Sequence, residues 1–374
     1  MLKNIKPVLI CLLCVCVLAS LSSLLFLGGI SSGDLRGHWH INSYAIHGTD
    51  PYKLFGEDVV FTQMPWSLIL GNLFYAGFLP VSLAVIWMLV LHIALAIVLM
   101  LVVKKRWAIQ GSAWIIILGT VLGNAAFYYS MQLGNFAAPI AMITIIAILY
   151  TDEKPVLAGV LMGLALMKPQ ISMIFCLVWL MKRKWKPLFA AAALVVLGVA
   201  LSAIVTNTSP VTLFAEFLSN PLQASTGYLG LFTFLQYLGV GQTTVVLLSM
   251  LLGAAYVLCL TSLVGKTNNI FAMYMPAAFA SCFWNFKNGT DYAILVIAAF
   301  LVISLLLQVS EHRLPLLFCL LYAELGSLAL NFCKHVFPHI PKNVFNNING
   351  LVYFCLGLYL SVLCSKLLKR NLID

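Results

Sequence analysis

Apolar residues run through this chain in long unbroken stretches, and polar residues fall almost entirely between them. A hydrocarbon core of ~30 Å takes about 20 residues of helix. Stretches approaching or exceeding that length recur near 7–30, 80–103, 108–130, 136–150, 187–206, 243–265, 267–284, 291–309, 314–331 and 349–365. None alternates with the two-residue period of a barrel strand. The pattern predicts an all-α polytopic membrane protein of about ten transmembrane helices. One further apolar run, 155–181, is interrupted at Lys168-Pro169. Proline removes a helix hydrogen bond and bends or breaks the helix. The run is therefore either a re-entrant hairpin tipped by Lys168-Pro169 or a kinked full span.

Two connecting segments are too long to be simple turns. Residues 31–79 contain Pro51 and Pro65 with amphipathic stretches between them, which predicts short helices lying along the membrane interface. Residues 207–242, with Pro210, Phe214, Phe217, Pro221, Tyr228 and Tyr237, are aromatic and weakly charged. No long internal repeat and no soluble segment interrupts the pattern, so the chain reads as a single integral membrane domain, 1–374.

Composition agrees: 62% of residues are hydrophobic and 9% charged, with mean hydropathy +1.03. The net charge of +10 does not indicate nucleic acid, because the basic residues cluster at the ends of apolar runs. Lys104-Lys105-Arg106, Lys182-Arg183-Lys184 with Lys186, and Lys366 with Lys369-Arg370 are the positive-inside pattern of cytoplasmic loops. With both termini cytoplasmic and 155–181 as a hairpin, fifteen of the 21 lysines and arginines fall inside. Residues 31–79 and 207–242 then lie outside. The first apolar run continues past Leu18-Ala19-Ser20, so it reads as an uncleaved span rather than a secretory signal. The ten cysteines lie mostly within apolar runs and read as small buried hydrophobes, without disulfides or a metal.

Ionisable residues at membrane depth are costly and need a partner or a purpose. Asp34, in Gly33-Asp34-Leu35-Arg36, lies just beyond the first span. It suits a helix cap equally well as a general base that takes a proton from a hydroxyl. Arg36 suits an anionic group or lipid headgroups. Lys168 suits a phosphate held as a point charge, or a snorkelling side chain. In the polar cluster 284–292, Lys287 suits a phosphate and Asp291 is expected to pair with Lys287, although Asn288-Gly289 is also an ordinary turn. His92 reads as a neutral histidine bonded to a neighbouring helix, and Glu324 as one half of a buried pair. His335 and His339, four apart across a proline, do not make a metal site.

The run Asp34, Tyr44, Gly48, Asp50-Pro51-Tyr52 and Pro65 resembles the first outer loop of GT-C glycosyltransferases. It is most similar to the polyprenol-phosphate-mannose-dependent family, glycosyltransferase family 87. Gln132 followed by Gly134-Asn135 resembles that family's turn between spans. The small-residue stretch Ala158-Gly159-Val160-Leu161-Met162-Gly163-Leu164-Ala165, followed by Lys168-Pro169-Gln170 and Trp185, resembles its next segment. The likeness covers roughly residues 30–190. Where family members often place a histidine shortly after a tryptophan in a late outer turn, this chain has Trp284 followed by Lys287 and Asp291.

The resemblance implies a GT-C-like fold and an inverting transfer of mannose or another hexose. The donor would be a polyprenyl-phosphate sugar, the acceptor a lipid or glycan, and the site extracytoplasmic. Asp34 would be the catalytic base. Arg36, Tyr44, Asp50, Tyr52, Gln132, Asn135, Lys168, Trp284, Lys287 and Asp291 are the candidates to bind substrate, with Asp50-Pro51-Tyr52 as the turn that shapes the pocket. The nucleotide-sugar Asp-x-Asp pattern is missing, so no metal or cofactor is expected. Expected partners are membrane lipids and the two substrates, in a bacterial plasma membrane. The rival reading is a transporter or flippase of lipid-linked saccharides, whose discontinuous helices would look similar.

Overall fold

The computed structural model describes residues 5–26, 33–55, 64–106, 114–219, 239–265, 267–284, 289–337, 339–340 and 342–370. Lys287, and Pro221, Tyr228 and Tyr237 of the second long loop, lie outside the described residues.

Among the described residues the chain is helical and has no strand. The first span is α1 (Ile5–Phe26). The segment after it forms α2 (Gly33–Ile46), α3 (Pro51–Phe55), α4 (Ser67–Leu70) and α5 (Asn72–Tyr75), the short helices expected there. Next come α6 (Val81–Arg106), α7 (Trp114–Gly123), α8 (Ala125–Leu133) and α9 (Ala137–Tyr150). They are followed by α10 (Pro155–Ala165), α11 (Pro169–Met181), α12 (Trp185–Thr206) and α13 (Pro210–Ser219). The remainder comprises α14 (Gln242–Leu263), α15 (Ile270–Ala280), a 3₁₀ turn (Gly289–Leu295), α16 (Val296–Gln308), α17 (Arg313–Val336) and α18 (Lys342–Lys369).

Among the described residues, six helical stretches are long and apolar enough to cross a membrane, or seven if the bent pair α7–α8 is one span. Of the ten expected spans, α9 and α15 are short and α17 is not among the six, while α10 and α11, also short, are the two halves of the interrupted run 155–181. At 1.5 Å per residue the 14-residue α9 covers only about 21 Å.

That short helix is the centre of the bundle. Every residue from Ala137 to Leu149 is buried, as expected of a helix that is apolar all round. It packs against α6, α10 and the 3₁₀ turn. Next to it, α10 approaches α12 closely because Gly159 and Gly163 line the contact. A Cβ at Gly159 would lie 2.4 Å from the Pro187 carbonyl oxygen, and one at Gly163 would lie 2.9 Å from Leu194 Cβ. Small residues one turn apart are the usual means of bringing membrane helices together.

The bend between α7 and α8 is 50°. Its backbone groups are met locally: Ser20 Oγ donates to the Gly123 carbonyl at 2.8 Å, and Asn124 caps α8 through Phe127 N–H at 3.3 Å. Glu324 lies against this bend, buried at 1% exposure. The expected pairing is not seen, since neither carboxylate oxygen has a hydrogen-bond partner among the described residues.

Charges concentrate at one end of the bundle. Arg106 binds Glu153 at 2.9 Å and the Leu149 carbonyl, Lys184 pairs with Asp152, and Lys182 reaches the Gly265 carbonyl at 2.7 Å. Segment 155–181 begins and finishes there. Trp179, near the end of α11, donates to Thr151 Oγ1 at 3.0 Å, and the Lys184–Asp152 pair ties the chain after α11 to the chain before α10. The chain thus leaves this end along α10, turns at residues 166–168, and returns along α11.

Candidate active site

At the turn between α10 and α11, Lys168 precedes Pro169, the first residue of α11. Proline suits that position because its missing N–H would have no partner there. A turn inside an apolar bundle must have its carbonyl groups satisfied by protein, and here side chains do so. Trp66 Nε1 donates to the Leu166 carbonyl at 3.2 Å, Trp284 Nε1 to the Gln170 carbonyl at 2.9 Å, and Ser172 Oγ to the Ala165 carbonyl at 2.8 Å. Two indoles from distant parts of the chain therefore grip the turn on either side of Lys168. Trp284, a candidate substrate contact, is 3% exposed, with its N–H committed to this grip.

Lys168 is 7% exposed. Its ammonium donates to Asp291 Oδ1 at 2.6 Å and to Asn135 Oδ1 at 2.9 Å, and lies 5.5 Å from the centre of the Phe136 ring. Asp291 therefore pairs with Lys168, while the expected partner Lys287 lies outside the described residues. The 3₁₀ turn carries Asp291 to the tip of the hairpin, with Thr290 Oγ1 at 3.5 Å from the same carboxylate.

Asn135 completes the connection. α8 ends on Gly134 in the left-handed conformation (φ 66°), which only glycine adopts without strain, and Asn135 follows. Its Oδ1 also accepts from Ala137 N–H at 2.8 Å, which fixes the carboxamide, and its Nδ2 donates to Asp34 Oδ2 at 2.8 Å. Asp34, Asn135, Lys168 and Asp291 thus form one chain of polar contacts drawn from four separate elements. Behind it, Ser130 Oγ binds the Asn135 carbonyl and accepts from Ala138 N–H at 3.2 Å, and His92 Nε2 meets Ser130 Oγ at 3.1 Å. His92 is thereby bonded to a neighbouring helix, as expected of it.

Asp34 sits half-buried in the first turn of α2, where the helix dipole favours an anion. Lys168 and Asp291 are enclosed, so the cluster opens at Asp34 and His38. His38 and Tyr75 are neighbours that the sequence reading missed. The ring of His38 stacks on Tyr75 at 4.7 Å between centroids, and Tyr75 meets Phe136 at 4.8 Å. The one available signal was spacing: four residues separate Asp34 and His38, which places them on one helix face.

The other candidates lie elsewhere. Arg36 is exposed. Gln132 is buried at the end of α8. Tyr44 is 39% exposed near the far end of α2, about 15 Å along the helix from Asp34. Asp50 caps α3 through Tyr52 N–H at 3.0 Å and accepts from Thr208 Oγ1 at 2.9 Å, with Lys53 at 3.6 Å. Tyr52 packs with Ile41, Ala45, Leu68 and Leu213 in a small core of its own. Asp50 and Tyr52 thus build the turn after α2 and join it to the segment after α12.

Fold and site together define an apolar helical bundle with a buried ionic cluster at the end opposite its basic residues. The family model of Glycosyltransferase family 87 matches residues 65–263, just over half of the chain, and the chain belongs to that family. It is accordingly a membrane glycosyltransferase rather than a transporter. The matched stretch contains Gln132, Asn135 and Lys168 but neither Asp34 nor Asp291, so those two enter the site on geometry. No curated protein and no solved structure matches the chain.

Proposed function

We propose that this protein moves a sugar, mannose or another hexose, from a polyprenyl-phosphate donor to a lipid or glycan hydroxyl on the non-cytoplasmic face of the membrane. The observation that carries the reading is the single carboxamide of Asn135, which spans from the Asp34 carboxylate to the Lys168 ammonium. A displacement at an anomeric carbon needs a base on one side and stabilisation of the departing phosphate on the other. This pair supplies both within one site.

In the reaction, the acceptor hydroxyl gives its proton to Asp34 as its oxygen attacks the anomeric carbon in line. The bond from that carbon to the phosphate oxygen breaks, and its electron pair leaves with the polyprenyl phosphate. Attack from the face opposite the leaving group inverts the anomeric centre. Lys168 meets the charge on the departing phosphate, and attraction in so enclosed a setting is far stronger than in water. A lysine alone would bind that anion tightly; Asp291 moderates the charge and lets product leave.

Sidedness follows from charge. The Arg106, Lys182 and Lys184 end is basic, which favours the cytoplasm, and the Asp34 cluster lies at the far end of α9 and α10. The hairpin 155–181 then enters from the cytoplasmic side and carries Lys168 towards the outer leaflet. With α9 and α15 counted as membrane-embedded beside the six long helices and the bent pair α7–α8, the crossings number nine, or ten with α17, and α10 and α11 are the two arms of the hairpin.

The test is donor choice by the full chain reconstituted in lipid. A radiolabelled polyprenyl-phosphate hexose should yield labelled acceptor, and the same sugar on a nucleotide should yield none. Transfer from the nucleotide sugar alone would sink the reading.

A further inference from the structure

The wall of the site beside Asp34 is made of rings. His38 lies one helical turn after Asp34; its ring stacks on Tyr75 with planes 24° apart and meets Phe136 edge-on at 5.8 Å. Phe136 in turn lies under the Lys168 ammonium. Through this one ring the His38–Tyr75 pair abuts both the Asp34 side and the Lys168 side of the site.

Tyr75 is 1% exposed, and its hydroxyl has no hydrogen-bond partner among the described residues. Burial, and then the nearby Asp34 charge, hold its proton on well above the ordinary phenol range. An unmet buried hydroxyl donor is unfavourable and calls for a ligand. His38, by contrast, is half-buried, so the ring pair reaches the open side of the cluster.

Burial and the Lys168 charge push the His38 pKa down to about 3. At neutral pH the ring offers one N–H donor and one nitrogen acceptor. That two-way chemistry matches a hydroxyl, which both donates and accepts. A phosphate only accepts, and the Lys168 ammonium already serves that role.

We propose that His38 and the Tyr75 hydroxyl bind the hydroxyl groups of the transferred sugar and hold its ring between Asp34 and Lys168. The inference rests on the donor reading given above and adds to it the residues that grip the sugar. Tyr75→Phe is the sharpest probe, because it removes the hydroxyl and keeps the stacked ring.

The experiment measures equilibrium binding of two ligands to the reconstituted full chain: bare polyprenyl phosphate and polyprenyl-phosphate hexose. Tyr75→Phe and His38→Ala should each weaken the sugar-bearing ligand about ten-fold and leave the bare phosphate unchanged. His38→Gln, which keeps a donor and an acceptor, should recover part of the loss. Equal weakening of both ligands, or no change in either, overturns the proposal. Wild-type protein that binds neither lipid overturns the donor reading itself, and this inference with it. Wild-type binding of bare phosphate that a hexose fails to strengthen overturns the sugar contact alone.

Discussion

Lys168 and Asp291 meet at 2.6 Å with both side chains almost wholly buried, although they come from distant parts of the chain. Taking two charges out of water is offset only by good geometry and further hydrogen bonds. Asn135 supplies the further bond on the lysine side. Removing one partner strands the other. Lys168→Met should therefore destabilise the protein by about 3–5 kcal/mol, read as thermal unfolding in detergent. The double variant Lys168→Met/Asp291→Leu should regain most of that stability without regaining transfer. Equal stability of the single variant and wild type would show that the pair is not closed in solution.

Asn135→Ala deletes the link between Asp34 and Lys168 and the cap on Ala137 N–H. Hydrogen bonds to charged groups contribute about 1.5–3 kcal/mol each, so transfer should fall roughly 10- to 100-fold in kcat/KM. Asn135→Asp keeps the cap but sets a second carboxylate against Asp34 and should be at least as damaging. Unchanged transfer in both variants would remove Asn135 from the site.

The grip on the hairpin tip gives a separate prediction. Trp284→Phe leaves the Gln170 carbonyl without the indole donor seen at 2.9 Å, a loss of about 1–3 kcal/mol. Because this grip positions Lys168, the variant should raise the KM for donor and spare the KM for acceptor. A change confined to the acceptor KM would place Trp284 on the substrate itself.

Acid sensitivity can be assigned to His38. Its pKa is depressed to about 3 in the folded protein, against ~6.5 for an unfolded histidine. Between those values the unfolded chain binds a proton that the native chain refuses. The His38 contribution is complete above about pH 6.5 and is lost as pH falls towards 3. Unfolding temperature should therefore drop more steeply from pH 6.5 to 4 in wild type than in His38→Gln. Parallel profiles would show that His38 is open to protonation in the folded state.

Helix content and the break at Lys168-Pro169 were legible in the sequence for a simple reason. Long apolar runs have few solutions in lipid, and Lys168-Pro169 interrupts one of them. The partner of Lys168 was not legible, because Asp291 is brought in by three-dimensional packing from far along the chain. His38 and Tyr75 were hidden for a related reason: their importance comes from a ring stack across two helices of the first long loop. The number of crossings is less legible. Hydropathy counts apolar segments, whereas α9 is apolar because protein surrounds it, at a length that falls short of a bilayer. Asp50 and Tyr52 had looked like neighbours of Asp34 in sequence, but α2 is long enough to separate them.

The most direct measurement is transfer by Asp34→Asn in reconstituted lipid with a polyprenyl-phosphate hexose, alongside binding of that donor. The carboxamide keeps an oxygen that can accept from Asn135, so the site should stay assembled, and donor binding should stay near wild type. Without a carboxylate to take the acceptor proton, transfer should fall by at least 100-fold. Transfer at the wild-type rate, with the donor bound normally, would contradict the assignment of Asp34 as the base.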